Sequence, residues 1–60
     1  MKYDKAEAKN LILARWRTLP AGERTAEDVS AFAMQATKDY PFDSAGAHGV
    51  IRLWLMEELG

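Results

Sequence analysis

At 60 residues the chain has room for one domain, and such a domain buries only about 60% of the surface that its unfolded form exposes. It has no cysteine and a single histidine, His48, which excludes disulfides and thiolate zinc sites and gives no basis for a histidine metal site. Hydrophobic residues make up 48% and charged residues 28%, with a net charge of −1, so the composition is that of a folded globular chain and not of a disordered or strongly basic one.

The charge is uneven along the chain. Residues 1–17 carry five cations against two anions, and residues 18–60 carry three against seven. The first segment predicts a helix over about residues 4–19. Ile12, Leu13, Trp16 and Leu19 form an apolar stripe in its second half. Lys5 and Lys9 occupy the upstream continuation of that stripe, so its first turns are expected to fray or to lie across the edge of a bundle. Arg15 and Arg17 suit the negative end of the helix dipole. The segment "LPAGERT" then breaks the helix with Pro20 and Gly22.

The second helix is expected over about residues 25–39. Thr25 is a good N-cap, and Asp28 stands at the third helical position, from which its carboxylate reaches back. Val29, Phe32, Ala33, Ala36 and Tyr40 fall on one helical face. In "DYPFDS", Pro41 pushes Tyr40 toward an extended backbone and ends the helix.

The third helix is expected over about residues 44–59, with Asp43 or Ser44 as its cap. Ala47, Val50, Ile51, Trp54 and Leu55 form one broad stripe; Gly46, Gly49, Leu53 and Met56 form a second line on another side. A helix in a three-helix bundle touches two others, so much of this surface belongs in the domain's own core. The two glycines suggest close approach of a neighbouring backbone. Met56 and Leu59 lie near the end, where a short bundle has little left to cover them. Glu57 and Glu58 sit at the unfavourable end of the dipole, so this end is either frayed or held by something else.

The expected fold is therefore all-α: one compact three-helix bundle over residues 1–60, with Leu13, Trp16, Val29, Phe32, Ala36, Val50, Ile51 and Trp54 in its core. No apolar run approaches the ~18 residues of a membrane span. The N-terminus has no apolar signal-peptide region, and a cytoplasmic location is the default expectation.

Catalytic chemistry finds little support in the sequence. The hydroxyl candidates are Ser30, Ser44, Thr18, Thr25 and Thr37. Only Ser44 has a potential base, His48, one helical turn away, and a serine at a helix start is ordinarily a cap. The spacings of an EF-hand loop, a P-loop or HExxH are absent. No enzyme activity, cofactor, metal or small-molecule substrate is expected.

The segment "TAEDVSAFAMQATKDYPFDSAGAHGVIRLWL" resembles the core of short bacterial and phage helix-turn-helix or winged-helix modules. In these a capped "T-x-x-D-V" helix leads through a turn into a helix of the form "A-x-G-x-x-x-R". The matching residues are Thr25, Asp28 and Val29, then Ala47, Gly49 and, less regularly spaced, Arg52. The resemblance implies a helix-turn-helix-like arrangement of the second and third helices, with the third as recognition helix. Ser44, His48 and Arg52 would share its polar edge, Arg52 reading a guanine and Ser44 meeting a phosphate. Lys5, Lys9, Arg15 and Arg17 would supply backbone contacts. Affinity for DNA comes largely from phosphate neutralisation, however, and this chain is slightly acidic with a mostly apolar third helix. The favoured expectation is thus a non-enzymatic protein–protein interaction module: an adaptor, inhibitor or regulator. Leu53, Met56 and Leu59 form its interface, the partner being another protein or a second copy in a homodimer. DNA binding is the alternative.

Overall fold

A computed structural model describes residues 2–59 and contains three α-helices: α1 at Lys5–Arg17, α2 at Ala26–Asp39 and α3 at Ala47–Leu59. A 3-10 turn at Ala21–Glu23 lies between α1 and α2. The fold is the all-α three-helix bundle expected from the sequence. α2 and α3 are the closest-packed pair, and α1 lies against them. The radius of gyration, 10.6 Å, matches the roughly 10.4 Å of a compact chain of this length. Among the described residues no helix is long and apolar enough to cross a membrane.

α1 is shorter than expected at its C-terminal end. Pro20 keeps Leu19 out of the helical region. The Thr18 hydroxyl and amide both donate to the Arg15 carbonyl, at 2.6 and 3.1 Å, and close the last turn. α2 starts as its sequence predicts. The Asp28 carboxylate accepts from the Thr25 amide at 3.3 Å and from the Thr25 hydroxyl at 2.8 Å, within a capping box.

α3 begins at Ala47, three residues later than expected, and neither Asp43 nor Ser44 caps it. Asp43 instead pairs with Lys2 at 2.6 Å, and the Ser44 hydroxyl donates weakly to the Ala45 carbonyl at 3.4 Å. The reason lies in Phe42. Its ring is buried and stacks on Trp54 at 5.5 Å between centroids, so the chain has to turn back over residues 43–46 before a helix can start. Gly46 makes that turn with φ +71°, a conformation that opposes a side chain. Its carbonyl then accepts the first helical bond, from Val50 at 3.1 Å.

One continuous core joins the helices. Ala8, Ile12, Leu13 and Trp16 come from α1, Val29, Ala33 and Ala36 from α2, and Ile51, Trp54 and Leu55 from α3, with Phe42 between α2 and α3. Phe32 and Val50, expected inside, are only partly buried, although the Phe32 ring meets Trp16 edge-on at 5.1 Å. The first turns of α1 do not lack anchors. The Tyr3 amide donates to the Pro41 carbonyl at 2.7 Å, forming an isolated parallel bridge with Phe42, and its ring meets Tyr40 at 5.7 Å. Lys9 lays its ammonium 5.8 Å from the centre of the Trp54 ring. A lysine on an apolar stripe is thereby accommodated, its charge over an aromatic face while the residue stays exposed to solvent.

Candidate functional site

α3 divides its apolar residues between two opposite faces. Ile51, Trp54 and Leu55 point into the bundle and are buried. At 3.6 residues per turn, Leu53 and Met56 lie about 150° around the helix from the centre of that stripe. Leu53 is 67% exposed and Met56 49%. They stand three residues apart and so adjoin on the surface. Arg52 and Glu57, both exposed, flank them, one on each side.

Leu59, three residues beyond Met56, lies at the edge of this face. It is 39% exposed and borders an open groove of about 230 Å³, together with Trp16, Ala21, Arg24 and Glu58. The groove's acidic wall is already occupied. Arg17 reaches across from the end of α1 and makes a two-pronged ion pair with Glu58, at 2.7 and 3.1 Å. Hydrogen bonding from Arg17, reinforced by its charge and those of Arg24 and Lys9, holds the Glu58 carboxyl below the usual carboxylate range; the Arg17 guanidinium is raised by the same contact. The end of α3 is therefore held by its own chain.

The glycine line does not mediate packing inside the domain. A Cβ placed on Gly49 would meet no atom of another element within 4 Å, so no neighbouring backbone approaches it.

The residues expected to touch nucleic acid are dispersed. Ser44 lies in the turn before α3, so it shares no helical edge with His48 and Arg52. His48 turns toward α2, its Nε2 at 3.3 Å from the Ser30 carbonyl oxygen, and takes the proton on that nitrogen to donate. Arg15 donates to the Tyr40 hydroxyl at 3.4 Å, Arg17 holds Glu58, and Lys9 lies over Trp54. Lys5 and Arg52 are exposed, and among the described residues neither makes an ion pair. Among the described residues no three His, Cys, Asp or Glu side chains converge.

Sequence reasoning missed the Arg17–Glu58 pair, because nothing local links positions 41 residues apart. The opposite charge of the two chain segments was the available signal, and it gives no partners. Comparison with family models, with curated proteins and with solved structures yields no match to this chain.

Proposed function

We propose that this chain is a small protein–protein interaction module that works without catalysis, through the outward face of α3. One observation carries the reading: Leu53 and Met56 adjoin on the solvent side of a helix whose inward stripe is already packed. Single exposed apolar residues, such as Met34 on α2, are ordinary. An adjoining pair forms a patch, and such patches on small domains often mark interaction sites. Covering what each side chain still exposes is worth about 1–2 kcal/mol to a partner. Met56 adds an unbranched, polarizable chain that adapts to the surface it meets. Leu59 lines the groove at the end of α1 and stands at the edge of this interface.

The test places a photo-crosslinking amino acid at position 53 in cells producing the protein and asks whether adducts form. Adducts that vanish on Met56→Asp, while helical content and thermal midpoint stay unchanged, support the reading. If Met56→Asp also unfolds the domain, the residue belongs to the core and the face is no interface.

The close packing of α2 against α3 keeps DNA binding as a second reading, since a helix-turn-helix needs that pair. It has less support, because most of its candidate cations serve contacts within the chain. It expects Arg52→Ala to weaken binding to particular duplexes and affinity to fall steeply with salt. No binding to mixed duplex DNA at low salt removes it.

A further inference from the structure

We infer that the outward face of α3 takes a second copy of this chain, with the two α3 helices side by side and parallel. The inference rests on the reading of that face as an interaction surface and names its occupant.

The argument is charge complementarity. Arg52, Leu53, Met56 and Glu57 fall at positions g, a, d and e of one heptad, with Gly49 at the preceding d position. In a parallel helix pair, apolar a and d side chains meet along the seam, and each g side chain lies beside the e side chain of the partner's next heptad. Arg52 of each copy then faces Glu57 of the other. A two-fold axis along the seam makes both pairs at once, because in such an interface each contact occurs twice. Neither side chain makes an ion pair within its own chain among the described residues.

The pattern also selects the direction of pairing. In an antiparallel pair, like flanks meet, which sets Arg52 beside Arg52 and Glu57 beside Glu57. Only the parallel pair joins unlike flanks. Gly49 fits the same geometry. It has no neighbour in its own chain, and at a seam position it lets the second helix come close at the start of the contact. The contact is one heptad long, so the dimer is weak and depends on concentration.

The experiment is light scattering with sedimentation equilibrium on the purified chain over a hundredfold concentration range, with circular dichroism to confirm folding. The wild type should move from the monomer mass toward twice that mass. Arg52→Glu and Glu57→Arg each replace two attractions with two repulsions, which should weaken self-association by about thirtyfold. An equal mixture of the two variants should recover the dimer, because every facing pair is again of opposite charge. The double variant Arg52→Glu/Glu57→Arg should recover it as well, and serves if one single variant folds poorly.

A wild type that stays monomeric throughout overturns the inference. So does failure of both the mixture and the double variant to recover the dimer. Arg52→Glu pairing better with wild type than wild type pairs with itself shows antiparallel flanks and also overturns it. The crosslink at position 53 separates this failure from failure of the wider reading. A monomer that still crosslinks to a different protein loses its second copy but keeps its interface, and a monomer with no adduct loses both.

Discussion

The Arg17–Glu58 contact shows how a residue at an unfavourable place is made tolerable. A carboxylate in the last turn of a helix opposes the dipole. Here Arg17, itself well placed at the end of α1, supplies two charge-assisted hydrogen bonds that offset the conflict. The sign of the pH effect follows from the direction of the shift. Glu58 has a carboxyl lowered in the folded state, so its contribution is complete above the unfolded value of about 4.3 and is lost as the pH falls through the folded value below it. Thermal midpoints of wild type and Glu58→Gln should therefore differ at neutral pH and converge in acid. A gap that persists unchanged at the acid end would show that the ion pair is not its source. Burial rather than charge governs Trp16, which is 1% exposed and touches Phe32. Trp16→Ala should cost about 3–5 kcal/mol. A chain of 60 residues holds roughly 3–9 kcal/mol in all, so this variant should lose about half or more of its stability, read by circular dichroism as a large fall in the urea midpoint.

At the scale of an element, the two glycines beside and inside α3 play opposite parts. Gly46 has φ +71°, and an alanine there should cost about 1–2 kcal/mol. Gly49 is helical, exposed and without neighbours, so an alanine there should stabilise the monomer by about 0.5–1 kcal/mol. Urea unfolding in dilute solution measures both, and effects of equal sign would contradict this assignment. The contrast also shows where the sequence is informative. The caps and periodicity of α2 are local, and its start at Ala26 was readable from Thr25 and Asp28. The start of α3 was not, since Asp43 and Ser44 have the chemistry of caps and only the burial of Phe42 diverts them. For the candidate site, the sequence named Leu53 and Met56 as interface residues, yet it also read their line on α3 as a second face within the bundle, and no second helix covers it. Leu59 was named with them, and the sequence carried no sign of the groove that it lines with the distant residues Trp16 and Ala21. His48 was read as facing outward because helical spacing does not indicate which neighbour, here α2, lies beside it.

Over the whole molecule, α2 and α3 form the closest pair and α1 docks on them, held by its core stripe and at each end. At one end the Tyr3 amide and ring engage Pro41 and Tyr40, and at the other Arg17 engages Glu58. The uneven charge of the sequence is thus partly spent within the fold, since Lys2 and Arg17 both reach acidic residues of the second segment. The two end contacts with charge are not equivalent to the one without. Lys2–Asp43 is solvent-exposed, and such a pair contributes about 0–1 kcal/mol, so Lys2→Ala should be nearly silent. Tyr3→Ala loses aromatic packing over the α2–α3 connection and should cost about 1–3 kcal/mol. Its effect should fall on the molecule as a whole, because α1 and the α2–α3 pair share one core and neither has enough of its own. The two tryptophans make this measurable, since Trp16 reports on α1 and Trp54 on α3. In single-tryptophan variants, with phenylalanine at the other position, the fluorescence transitions in urea should coincide with each other and with loss of helicity. In the Tyr3→Ala background they should shift together. A Trp16 transition that runs ahead of the Trp54 one would mean that α1 can leave a surviving α2–α3 hairpin, and that the N-terminal anchor secures one helix instead of the fold.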